Sequence, residues 1–134
     1  MTLKIHHLNN SRSQRILWLL EELAVPYAIV QHQRDAVSNL APDSLKAIHP
    51  LGKSPVIEDD GKLIYESGAI VEYLCERHGG AHFVPARGSD DHVRYLEWMH
   101  FAEGSAMTPI LLNLYVSRLG EAGTPLSPRI EGEI

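Results

Sequence analysis

Apolar and polar positions are arranged in short blocks along the first half of the chain, and each block predicts one element. Leu3, Ile5 and Leu8, with His6-His7 between them, form a strand pattern that Asn9-Asn10-Ser11 breaks. Ile16, Leu19, Leu20 and Leu23 then recur at helical spacing. Leu17 and Trp18 widen that apolar face, so a largely buried helix is expected, ended by Pro26. Tyr27 to Val30 reads as a second strand, and strand, helix, strand within about thirty residues predicts a parallel pair. From Gln31 to Ile48 the chain turns polar. Pro42-Asp43 marks a helix start there, with Leu45 and Ile48 as anchors.

Val56 to Glu58 and Lys62 to Tyr65 flank Asp60-Gly61, a pair that tolerates positive φ, so a β-hairpin is expected. Ser67 then opens a helix through Ala69, Ile70, Tyr73 and Leu74. The stretch from His78 to Asp91 is Gly-rich and aperiodic and reads as a linker. Beyond it, Leu96, Met99, Ala102 and Ala106 recur at three and four from Val93 on, and Pro109 should kink or divide that helix. Ile110 to Leu119 is a second apolar helix ended by Gly120. Ser127-Pro128 then gives an N-cap followed by an N1 proline, with Ile130 and Ile134 one turn apart. A helix of about seven residues is marginal alone, so the chain looks cut inside an element. The expected organisation is a first domain over residues 1–80, a linker over 81–91, and an incomplete all-helical domain over 92–134.

Composition narrows the function classes. The 134 residues are 44% hydrophobic, enough for a core, and the net charge of -5 without any local Lys/Arg cluster argues against nucleic acid as partner. MTLKIHHLNNS carries no apolar leader, and no apolar run is long enough to span a bilayer, so no membrane association and a cytosolic location are expected. The single cysteine, Cys75, excludes an internal disulfide and sits mid-helix in a packing position. Eight histidines invite a metal. None shows a ligand spacing, and His6 and His7 point to opposite faces of a strand, so no metal is expected.

The chemistry gathers at the two ends of the hairpin. Ser54-Pro55 enters its first strand, where a proline cannot donate to the ladder and a cis bond is possible. Glu66-Ser67 leaves its second strand and starts a helix, whose free N–H groups and dipole suit a carboxylate. Read locally, Ser67 is also an ordinary N-cap, and Ser11-Arg12-Ser13-Gln14 fits a capping box.

In order and spacing, HPLGKSPVI, ESGAIVEYL, NNSRSQRILWLLEEL and RYLEWMHFAEGSAMTPIL resemble four segments of the cytosolic glutathione transferases, of a serine type similar to bacterial and fungal ones. The resemblance implies an α/β thioredoxin-like N-terminal domain, βαβ-α-ββα with a mixed four-stranded sheet, followed by the start of an all-α domain that is C-terminally shortened. It implies glutathione as co-substrate, a small hydrophobic electrophile as second substrate, a role in detoxification, and a homodimer. Ser11 would stabilise the thiolate, with Asn10, Ser13 and Arg12 as neighbours able to share the role. Glu66 would pair the γ-glutamyl ammonium and Ser67 its carboxylate. Ser54, beside Pro55, would pair its backbone with the cysteinyl unit, and Lys53 would offset the glycyl carboxylate. His100 and Glu103 would line the cleft between domains. Two other functions are compatible with the same resemblance: a non-catalytic binding module, and a glutathione-dependent peroxidase or disulfide reductase.

Overall fold

A computed structural model of the chain describes residues 3–134; Met1 and Thr2, where the leader-free N-terminal reading and the predicted first domain begin, lie outside the described residues. The chain forms two compact units, a first that ends at Val84 and a second over Pro85–Ile134.

In the first unit the predicted strands appear as β1 (Leu3–Leu8), β2 (Tyr27–His32), β3 (Val56–Asp59) and β4 (Lys62–Tyr65), ordered β2-β1-β3-β4. β1 and β2 pair in parallel from Leu3↔Tyr27 to Leu8↔His32, so β2 runs two residues beyond its predicted end to match β1. β3 pairs antiparallel with both β1 and β4. Asp60 (φ 49°) and Gly61 (φ 76°) make the β3–β4 turn, both in the left-handed region that a two-residue hairpin favours. This is the mixed sheet expected of a thioredoxin-like domain.

Two helices share one face of the sheet. Ile16 and Leu20 of α1 (Ser13–Glu22) and Ile70 and Leu74 of α3 (Ser67–Arg77) form one core with Leu3, Ile5 and Ile57. Each such side chain stabilises the fold by roughly 1.5–3 kcal/mol through burial. Alternation along β1 puts His6 and Leu8 on the opposite face, where Ser44 of α2 (Asp43–Ile48) meets His32 of β2 and Leu45 of the same helix is buried.

Local details differ from expectation. Trp18 is 70% exposed, its indole N–H donating to Glu22 at 3.0 Å, because at 100° per residue it falls opposite Ile16 and Leu20. The capping box does not form. Arg12 is the N-cap, and Ser11 Oγ instead accepts the Ser13 N–H, two residues on, at 3.2 Å. Ser67 is the first helical residue of α3, after Glu66 as N-cap.

In the second unit, α4 (Asp90–Phe101) starts three residues before the expected Val93, because Ser89 Oγ accepts the His92 N–H at 3.1 Å and caps it. The stretch read as aperiodic linker also contains a 3₁₀ turn, Gly80–Phe83. Ahead of Pro109 the helix is divided by a π-helical turn, Ala102–Ala106, before α5 (Met107–Ser117). Pro109 gives no N–H to the Ser105 carbonyl and its ring crowds it, and the wider turn accommodates both effects. Thr108 Oγ1 contacts the carbonyls of Glu103 and Gly104 at 3.3 and 3.2 Å there. The final helix, α6 (Ser127–Glu131), takes Leu126 rather than Ser127 as its N-cap. Among the described residues no helix is long and apolar enough to cross a membrane.

Candidate active site

Strand register gathers the first unit's polar residues at one end of the sheet. His6 of β1 lies opposite Val56, the first residue of β3, and Val56 lies opposite Tyr65, the last residue of β4. The chain leaving β1 through Asn10-Ser11, the chain entering β3 through Ser54-Pro55, and the chain leaving β4 through Glu66-Ser67 therefore meet there. The N-termini of α1 and α3 open at the same end, so two positive dipole ends lie beside the hydroxyls. Such an end is suited to an anion.

Hydroxyls cross-link these segments. Ser11 Oγ is 2.7 Å from Ser13 Oγ and donates to Ser54 Oγ at 3.4 Å, a contact between residues 43 positions apart. Ser54 Oγ donates to the His6 carbonyl at 2.9 Å, and the Ser54-Pro55 bond is cis. Ser13 Oγ is also 2.7 Å from His7 Nδ1. Beneath, on the α2 side of the sheet, His6 Nδ1 and His32 Nε2 are 3.1 Å apart, and His32 Nδ1 meets Ser44 Oγ at 2.9 Å. Burial holds both imidazoles below the ordinary histidine range, and for His6 the charge of His32 adds to that.

The remaining predicted residues divide by position. Pro55 is buried and Lys53 exposed in the loop before β3. Arg12 is half-buried at the N-cap of α1, Asn10 turns the chain just before Ser11 at φ 51°, and Glu66 is exposed at φ 68° beside the buried Ser67. Ser11, Ser13 and Ser54 are joined by direct contacts, with Glu66 and Ser67 at the same sheet end through register. Glu103 and His100 belong to the second unit, Glu103 half-buried in the π turn and His100 exposed on α4.

Arg34 escapes the sequence reading because its partners are backbone carbonyls with no motif. Its Nε donates to Asn9 O at 3.0 Å and its Nη2 to Asn10 O at 3.2 Å, while Asn9 Oδ1 accepts the Arg34 N–H at 2.9 Å. These bonds fasten the segment that carries Ser11. His7, 2.7 Å from Ser13 Oγ, carries in the sequence only the signal of a strand position.

Other reactive groups do not join this cluster. Burial pushes the Cys75 thiol up, which suits packing rather than nucleophilic chemistry. Among the described residues no group of three or more His, Cys, Asp or Glu side chains is disposed to hold a metal ion.

Comparison with known proteins matches residues 5–82 to the glutathione S-transferase N-terminal domain. Glutathione S-transferase 3 of Schizosaccharomyces pombe is 44% identical over 126 residues, 91% of this chain and 49% of that protein. The crystal structure of a glutathione S-transferase from Actinobacillus pleuropneumoniae superposes with a TM-score of 0.83 at 30% identity, covering 98% of this chain and 62% of the other. A glutathione transferase homolog from Sulfitobacter, with bound glutathione, has the same fold, with a TM-score of 0.78 at 19% identity and coverage of 98% and 64%. The chain spans about half the length of the curated relatives it matches.

Proposed function

The chain belongs to the glutathione S-transferase family, and from that premise we propose that its sheet end binds glutathione and activates the thiol for attack on small hydrophobic electrophiles. One observation carries the reading: Ser11 and Ser54, on segments far apart in sequence, bring their hydroxyls within 3.4 Å where two helices begin.

A cysteine thiol with a pKa near 8.5 is mostly protonated at neutral pH, so catalysis requires that the protein favour the anion. Ser11 donates a hydrogen bond to the sulfur, and the nearby helix N-terminus adds its dipole. The thiol proton leaves to water. The thiolate then attacks the electrophilic carbon and the leaving group departs, with no covalent enzyme intermediate. The weak 3.4 Å contact from Ser11 to Ser54 is the one that the sulfur replaces. Ser54 pairs its backbone with the cysteinyl unit. Ser67, at the first position of α3, takes the γ-glutamyl carboxylate, and Glu66 takes its ammonium group. Lys53 offsets the glycyl carboxylate. Arg12, at the N-cap of α1, completes the first unit's set of glutathione-binding residues. Family membership also supports a homodimeric detoxification enzyme of the cytosol.

Initial rates of glutathione conjugation to a chloronitrobenzene test this. Ser11→Ala is expected to lower kcat by about 10²-fold, the usual scale for removing one donor to a developing anion, with glutathione affinity within about threefold of the parent. Binding of glutathione without conjugation would overturn the catalytic reading in favour of a binding module.

A further inference from the structure

His7 has no part in the function described above, yet proton counting along the hydroxyl chain makes it decisive. Ser13 Oγ lies 2.7 Å from His7 Nδ1 and 2.7 Å from Ser11 Oγ, and it is fully buried, so no water substitutes for either partner. A serine hydroxyl has one proton to donate. If His7 Nδ1 accepts, Ser13 must donate to it, and the Ser11–Ser13 contact then requires the Ser11 proton. If Nδ1 carries a proton, His7 donates to Ser13. The Ser13 proton is then free for Ser11, at 2.7 Å, in preference to the Leu8 carbonyl at 3.3 Å. Only in that second arrangement is the Ser11 proton available to a sulfur.

We propose that His7, through an Nδ1–H bond to Ser13, is the positioning residue that leaves the Ser11 hydroxyl free to donate to the glutathione thiolate. The role rests on the transferase reading. The geometry is built into the fold: alternation along β1 places His7 on the face of Leu3 and Ile5, the face α1 covers, directly against Ser13 at the start of that helix. Ser11 then accepts from both the Ser13 hydroxyl and the Ser13 N–H at 3.2 Å, and a hydroxyl that accepts two bonds becomes a better donor.

Two measurements on the full chain test this. The first is long-range proton–nitrogen NMR of the imidazoles at neutral pH, with His7 assigned by its loss in His7→Leu. A protonated Nδ1 is expected, and an unprotonated Nδ1 would overturn the role whatever the variants do. The second is thiolate-absorbance titration of bound glutathione in the parent, His7→Leu and His7→Asn. Without the imidazole, Ser11 is the remaining side-chain donor to the buried Ser13 oxygen. His7→Leu should therefore raise the bound thiol pKa by about one unit, a roughly tenfold smaller acid dissociation constant. His7→Asn, whose amide N–H reaches the Nδ1 position, should restore it. S-methylglutathione, which has no thiol to ionise, should bind all three within about twofold. A depressed parent value left unmoved by His7→Leu would overturn the role of His7 alone. A parent value that is not depressed would overturn the transferase reading and this role together.

Discussion

Single side chains at the sheet end are constrained by how many protons each can give. His6 and His32 face each other through ring nitrogens 3.1 Å apart, so one donates and the other accepts only while at least one ring is neutral. Charging both would set two donors against each other in a buried site. Burial therefore holds both below their ordinary value of 6.5. Unfolded, they protonate near 6.5. Folded, they resist until lower pH, so the unfolded state binds more protons in that window and stability falls as pH falls through 6.5. Urea midpoints measured from pH 8 to pH 5 should decline over this range, and His32→Asn should flatten the decline. On the other side of the same sheet Asp59 shows the reverse balance. Burial pushes its carboxyl up, but hydrogen bonds from His78 (2.8 Å) and Tyr73 (2.9 Å), with the charges of His78 and Lys62, outweigh it and hold it below the ordinary range.

At the scale of elements, legibility followed how local the deciding contacts are. The hairpin at Asp60-Gly61 and the helix from Ser67 are set by neighbours in sequence and stand where the pattern puts them, while the parallel β1–β2 pair, between residues 24 positions apart, forms as expected with β2 two residues longer. Trp18 is exposed because its angle on the helical wheel, not its apolar character, decides which face it joins. α4 begins ahead of its apolar stripe because Ser89 caps it and Asp90-Asp91 form its first turn, polar positions that carry no periodicity. The break that Pro109 implies falls one turn upstream of it, in the π turn that accommodates its ring. α1 gives the sharpest test at this scale. Ile16→Ala or Leu20→Ala should cost about 2–5 kcal/mol by denaturant unfolding, while Trp18→Ala should cost under about 1 kcal/mol. Equal losses at all three would contradict the placement of the core.

Considered whole, the molecule joins a unit with a closed core to one whose burial is sparse. The first unit's core and sheet were readable from periodicity, and its candidate site was readable in its residues but not in its connections. Ser11 and Ser54 were each named on their own segments. Their contact depends on the β1–β3 register, and the His7–Ser13–Ser11 chain depends on which face of β1 meets α1, neither of which any local pattern contains. In Pro85–Ile134 the stripe expected on α4 has no buried member, and Trp98 and Phe101 are exposed, while Val116 of α5 and Ile130 of α6 are buried. A Cβ at Gly123 would meet the Val116 carbonyl, so the chain after α5 packs closely against it.

On the function proposed above, Ser11 makes bound glutathione a thiolate at neutral pH. The most direct test of this is the ultraviolet titration of the thiolate with glutathione bound to the parent chain and to Ser11→Ala. The expected result is a parent thiol pKa well below that of free glutathione, returning by at least about one unit in the alanine variant while binding persists. Glutathione bound with an unshifted thiol in the parent, or an equally depressed thiol in Ser11→Ala, would contradict it.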